Sequence, residues 1–155
     1  MAKQTSAKAV SDQQKPLGLA YLVGRLDHVL GKRLRDSLMR FGLTVPQYTA
    51  LSVFRASGSM SNAQLSERTM VSPQSANEMV KSMEARGWIE RKPDPTHGKI
   101  IQISLTEEGN AVLQRGDVEV VEIESAMFRD LNEEERTKLQ SILRSAVRAL
   151  SVHGI

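Results

Sequence analysis

Two helix starts stand close together in the middle of this chain, and the space between them allows only a sharp turn. Ser61-Asn62-Ala63-Gln64 is a capping box: the serine oxygen accepts from the backbone three residues on, and the glutamine side chain reaches back. The helix it opens runs to about Thr69 or Met70. Ser72-Pro73 opens the next, with serine at the N-cap and proline at the first helical position. Ala76, Met79, Val80 and Met83 form its apolar face, and Gly87 ends it. A link of about three residues forces the two helices to cross steeply.

After Gly87 the hydrophobic period changes from helical to alternating. Trp88-Ile89-Glu90-Arg91 reads as a short strand, and Ile101, Ile103 and Leu105, alternating with Gln102 and Ser104, read as its partner. Lys92-Pro93-Asp94-Pro95-Thr96-His97-Gly98-Lys99 between them has the composition of a turn. A tight helix pair followed by a two-stranded hairpin is a winged helix-turn-helix. Its second helix is slim enough for a DNA major groove about 12 Å wide.

Longer helices flank this module. A stretch opened by Pro16 carries Leu19, Leu22, Val23, Leu26, Val29, Leu30, Leu34, Leu38 and Phe41 at helical spacing and stops at Gly42. Thr44-Val45-Pro46 starts another that runs through Tyr48, Leu51 and Phe54 to Gly58. Thr106-Glu107-Glu108 caps a long helix reaching roughly Phe128, and Asn132 with Glu135 caps the last, whose apolar face is Leu139, Ile142, Leu143, Ala146, Val147 and Leu150. The expected fold is mainly α with a two-stranded β-wing. Residues 1–15 are expected to form a flexible tail, 43–106 the winged module, and 16–42 and 107–155 dimerisation helices. The flanking helices carry more apolar surface than the small module can cover, which points to a homodimer.

Composition closes off other classes. The 155 residues include no cysteine, so disulfides, thiolate zinc sites, iron–sulfur clusters and thiol switches are excluded. The three histidines, His28, His97 and His153, lack metal-ligand spacing, and no metal or cofactor is expected. No phosphate loop, nucleophile elbow or other catalytic motif appears, so the chain reads as a non-enzyme. With no secretory signal or membrane-spanning run, the expected location is cytoplasmic.

Charge is uneven: +2 over residues 1–15, +4 over 16–60, +1 over 61–105 and −4 over 106–155. The helical period places Gln74, Ser75, Asn77, Glu78 and Lys81 outward or at the margin on the second helix of the pair. Gln and Asn can bond adenine in a bidentate way, and Lys suits phosphate or guanine. Ser72 and the free N–H groups beside it suit a phosphate. The candidate DNA contacts are Ser61, Asn62, Ser72, Pro73, Gln74, Ser75, Asn77 and Lys81, with Arg91, Thr96, His97 and Lys99 from the wing.

These motifs together resemble the MarR family (multiple antibiotic resistance regulators). Leu65-Ser66-Glu67-Arg68 with Val71-Ser72-Pro73-Gln74 is similar to its helix-turn-helix. Gly87-Trp88-Ile89-Glu90-Arg91 is similar to the start of its wing, Asp94-Pro95-Thr96-His97-Gly98-Lys99 to the wing tip, and Leu105-Thr106-Glu107-Glu108-Gly109 to the exit into the long helix. The resemblance spans residues 17–150. It implies a homodimer with intertwined terminal helices, bound to a near-palindromic double-stranded operator and regulated by a small ligand. Repression relieved by ligand is the commoner family arrangement. Lys99 stands where the family's wing commonly carries arginine; lysine keeps the charge but loses the planar fork.

The implied ligand is an anionic aromatic compound, a carboxylate or its acyl-CoA thioester. Arg25, His28 and Lys32 share a face of the first long helix and suit its anionic group, with Tyr21 and Tyr48 for ring contacts; the other reading of this face is pairing with Asp27 and Asp36 on a solvated surface. The alternative is a winged-helix scaffold that binds protein without specific DNA recognition.

Overall fold

The computed structural model describes residues 18–151. The flexible tail expected for residues 1–15 and His153 lie outside the described residues. Six helices and one hairpin follow in the order α1 (Leu19–Met39), α2 (Val45–Ser57), α3 (Asn62–Thr69), α4 (Pro73–Ala85), β1 (Ile89–Pro93), β2 (Ile101–Leu105), α5 (Glu107–Met127) and α6 (Glu133–Ser151). The winged helix-turn-helix expected from the sequence is present.

Local signals set the boundaries. Ser61 Oγ accepts from Gln64 N, and Gln64 Oε1 accepts from Ser61 N. The same reciprocal pair forms at Thr44 and Gln47 on α2, and at Asn132 and Glu135 on α6. The turn between α3 and α4 is closed by Ser66, whose hydroxyl donates to Val71 O at 2.7 Å. Within it Met70 sits in the left-handed region at φ 55° and is 84% exposed.

β1 and β2 pair antiparallel, with Ile89 opposite Leu105 and Pro93 opposite Ile101. The first strand thus begins one residue later than the sequence suggested and extends through Pro93. Trp88 lies outside the ladder because its backbone is bonded elsewhere: its N–H closes α4 by donating to Met83 O, and its carbonyl accepts from Thr106 N. Pro93 is admitted at the far end, where a missing donor costs least.

The core lies under the helix pair. Leu38, Leu43, Leu51, Phe54, Leu65 and Met83 are almost wholly enclosed, joined by Val80, Ile89, Ile103 and Leu113 from the flanking elements. Aliphatic residues dominate it, as a chain with 4% aromatics requires. In contrast, α6 has no buried residue. Leu22, Val23, Leu26 and Val29 on α1, Val118 and Val121 on α5, and Ile142, Leu143, Val147 and Leu150 on α6 are exposed in the single chain.

Candidate nucleic-acid interface and effector cleft

The recognition edge is built on α4. Ala76, Val80 and Met83 face the core, while Ser72, Pro73, Gln74, Ser75 and Lys81 are exposed and Asn77 is half-buried. Gln74 Nε2 donates to Glu78 Oε1 at 3.3 Å along the exposed surface. Ser72 Oγ accepts from Ser75 N at 3.1 Å, and the two hydroxyls are 2.9 Å apart. Pro73 brings no N–H, and Ala76 N is bonded to Ser72 O. The phosphate cradle expected at this helix start is therefore reduced: of the first donors, the Gln74 N–H is the one left over.

Asn62 and Arg91, among the expected contacts, are bonded across element boundaries. Asn62 Nδ2 donates to Pro73 O at 3.3 Å, and its Oδ1 is buried without a partner, so this side chain ties α3 to the first residue of α4. Arg91 forms an ion pair with Glu84 on α4 and so fixes the wing to the recognition helix. That pairing holds the Glu84 carboxyl below its usual range. Asn62 and Arg91 thus link α4 to α3 and to the wing, Ser61 caps α3, and Arg91 remains exposed.

The wing tip is a preformed turn. The Asp94 carboxylate accepts the backbone N–H groups of Thr96 at 2.7 Å and His97 at 2.9 Å, and the Gln102 amide at 3.1 Å. These bonds, the backbone ones first, hold the Asp94 carboxyl below the usual carboxylate range. Thr96, His97 and Lys99 are left exposed at the tip. Glu84, Asp94 and Gln102 organise this surface and were not singled out from the sequence for that work. An Asp-Pro step preceding two polar residues is the signal that could have marked Asp94.

A cleft of about 760 Å³ separates α1 from the start of α2. Gly24, Asp27, His28, Gly31, Arg35 and Met39 line it from one side, and Leu43, Thr44, Val45 and Pro46 from the other. Of the ligand residues expected from the sequence, His28 lines this cleft. Tyr21, Arg25, Lys32 and Tyr48 do not. Arg25 and Lys32 follow Gly24 and Gly31 by one residue each, a rotation of about 100° around the helix.

Tyr48 faces α5 instead, where its hydroxyl donates to Asp117 Oδ1 at 2.9 Å. Arg55 engages both oxygens of the same carboxylate. Burial first, then the Asp117 hydrogen bond and charge, push the Tyr48 hydroxyl up to about 12. Arg55 holds the Asp117 carboxyl below its ordinary value. The sequence did carry one signal for the lining of this cleft: two glycines seven residues apart, at positions where each costs a helix about 1 kcal/mol relative to alanine.

Among the described residues, no cluster of three His, Asp or Glu side chains is arranged to hold a metal, and no helix is long and apolar enough to cross a membrane.

Comparison with known proteins gives consistent results. The profile of the MarR family matches residues 41–100. The chain is 36% identical over 109 residues to an uncharacterized HTH-type transcriptional regulator of Bacillus cereus, covering 70% of this chain and 72% of the relative. It is 27% identical over 128 residues to an HTH-type transcriptional repressor of Mycobacterium tuberculosis, covering 83% of this chain and 91% of the relative. Among solved structures it is similar to Bordetella bronchiseptica BpsR, described for regulation of its DNA binding by 6-hydroxynicotinic acid. The TM-score is 0.72 at 20% identity, with 83% of this chain and 98% of that one covered.

Proposed function

The chain belongs to the MarR family of transcriptional regulators, and from that premise we propose that it is a homodimeric repressor released from a near-palindromic DNA operator by a small anionic aromatic acid. The observation that carries the DNA reading is the two-sided character of α4. Its apolar edge is buried in the module, and its polar edge lies open beside the wing tip. Gln74, Ser75, Asn77 and Lys81 meet base edges or phosphates in the major groove. Thr96, His97 and Lys99 reach the flanking backbone or minor groove, and the exposed faces of Ser72 and Pro73 lie against the backbone at the groove's edge. The module spans residues 43–106.

Dimerisation is supported by the uncovered apolar faces of α1, α5 and α6. A folded chain rarely leaves such contiguous surface open, and α6 has no buried residue of its own. Residues 16–42 and 107–155 supply this interface. Pairing sets the two α4 helices one DNA turn apart, the spacing that a near-palindrome requires.

The effector is assigned to the α1–α2 cleft. Gly24 leaves the helix surface open, which suits a ring, Arg35 lies over Gly31, and Arg35 with His28 provides donors for a carboxylate. The volume is within the range of pockets that enclose a free aromatic acid. An acyl-CoA thioester would leave its nucleotide portion outside. The acid named for the B. bronchiseptica protein is a flat ring bearing a carboxylate, in keeping with this chemistry. Binding that favours a different separation of the α4 helices weakens DNA affinity by a coupling of about 1–3 kcal/mol.

The test is selection of bound DNA from a random pool, with and without 6-hydroxynicotinic acid, followed by a salt titration of the selected site. The expected outcome is a near-palindrome, bound with affinity that falls steeply with salt and weakened by the acid. Enrichment of no sequence at any salt would overturn the repressor and favour a protein-binding scaffold.

A further inference from the structure

We infer that the turn joining α1 to α2 carries occupancy of the cleft to α4, with Gln47 and Arg86 as the positioning residues; this rests on the reading of that cleft as the effector site. The cleft wall formed by Leu43–Pro46 is flanked by two residues, Gly42 and Gln47, that are bonded to α4 and its C-cap. Gln47 Oε1 accepts from Thr44 N at 3.0 Å, and its Nε2 donates to Ser82 Oγ on α4 at 3.3 Å. At the other end of the turn, Arg86 Nη1 donates to Gly42 O at 2.9 Å. The Arg86 guanidinium also lies over the Trp88 ring, 4.7 Å from its centroid.

Burial separates Gln47 from an ordinary cap. It is 7% exposed, one of two buried polar residues among those described. An exposed glutamine would complete the capping box equally well, and a buried amide is unfavourable unless both of its ends are bonded. Its second end is bonded to α4. Gly42 fits Arg86 closely, since a Cβ there would lie 2.8 Å from Nη1.

Ser82 and Arg86 are four residues apart and share one edge near the end of α4. Asp117 on α5 holds α2 at two places, Tyr48 and Arg55. A ligand that pushes the wall outward therefore turns α2 about this seam with α5. Both bonds then draw on the C-terminal half of α4, which tilts the reading edge at its N-terminal half.

The experiment uses the full chain and needs neither DNA nor effector. Gly24 lines the cleft and an added Cβ there meets nothing within 4 Å, so Gly24→Phe has room to set its ring at the cleft, and Gly24→Ala controls for the change in helix propensity. Hydrogen exchange of the amides of residues 80–86 is measured in the native background and with Ser82→Ala/Arg86→Met. The filler is expected to change exchange at least fivefold relative to Gly24→Ala in the native background, and less than twofold in the double variant.

An equal effect in both backgrounds, or none in the native one, overturns the route. Should the double variant unfold, Ser82→Ala and Arg86→Met are compared singly under the same criterion. A calorimetric titration with 6-hydroxynicotinic acid runs in parallel. If the unmodified chain fails to bind it, this aromatic acid is lost as the effector, while the filler comparison still decides the route.

Discussion

Gly109 sits in the first turn of α5, where the helix leaves the wing, and an alanine there has no room. Its Cβ would lie 1.9 Å from the Trp88 carbonyl oxygen, and 2.8 Å from both Trp88 C and Leu105 Cδ1. Real Cβ atoms essentially never approach within 3.0 Å, so α5 and Trp88 must part by about 1.1 Å. Backbone is on both sides of the clash, and no rotamer relieves it. The displacement breaks the bond from Thr106 N to Trp88 O, 3.1 Å, and that from the Thr106 hydroxyl to Gly87 O, 2.6 Å.

Overpacking of this kind costs about 1–3 kcal/mol, and each lost hydrogen bond about 1 kcal/mol. Against these stands a helix-propensity gain of at most about 1 kcal/mol. Gly109→Ala is therefore expected to lose about 2–4 kcal/mol, a fall in Tm on the order of 5–15 °C. Gly116→Ala is the control. Its Cβ would meet side-chain atoms of Tyr48 at 3.0 Å and Leu38 at 3.1 Å, which can yield, so its cost stays below about 1 kcal/mol. Urea unfolding at one fixed protein concentration measures both, because an associating chain makes stability concentration-dependent. A Gly109→Ala protein within about 0.5 kcal/mol of the parent would refute the close-contact argument, as would a larger loss for Gly116→Ala.

Asp117→Asn weakens the Tyr48 and Arg55 contacts and is expected to cost about 1–2 kcal/mol at neutral pH, discounted because Arg55 is partly exposed. The Asp117 carboxyl is depressed in the fold, so its contribution is complete above its ordinary value of 3.8 and disappears as pH falls through the lowered one. Urea melts at pH 7 and in acid below that value should show the gap between parent and variant closing. Met70→Gly removes the left-handed strain of an exposed side chain and should be about 0.5–1 kcal/mol more stable than Met70→Ala, by the same melts. Lys99→Ala should lower the log–log salt slope of operator binding by about 0.9 per protomer, and Lys99→Arg should favour sites with a narrow A·T-rich minor groove, both read by fluorescence anisotropy.

The sequence was informative wherever the interaction was local. The capping boxes at Ser61 and Asn132 need partners only three residues away, and the exchange from helical to alternating period at Gly87 needs none. The two-stranded wing and the polar edge of α4 follow from those patterns. Ligand lining was harder to place, because one residue along a helix is a rotation of about 100°. The cations Arg25 and Lys32 drew attention to one face, while Gly24 and Gly31, one residue earlier on each turn, line the cleft.

The same ambiguity explains the divided fate of the polar residues near α4. Asn62, Arg91 and Gln74 are alike in sequence: polar, close to the recognition helix, and chemically able to touch DNA. They differ in what stands opposite them in the fold. Asn62 meets the Pro73 carbonyl, Arg91 the Glu84 carboxylate, and Gln74 only the exposed Glu78 one turn along its own helix. A side chain already bonded across an element boundary loses that bond on turning to a base, whereas one bonded along an exposed helix face exchanges a weak, solvated contact. The three residues should therefore respond differently to alanine. Loss at Gln74 should fall on sequence preference. Loss at Asn62 or Arg91 should fall on affinity for every site alike, because what changes is the placement of α4.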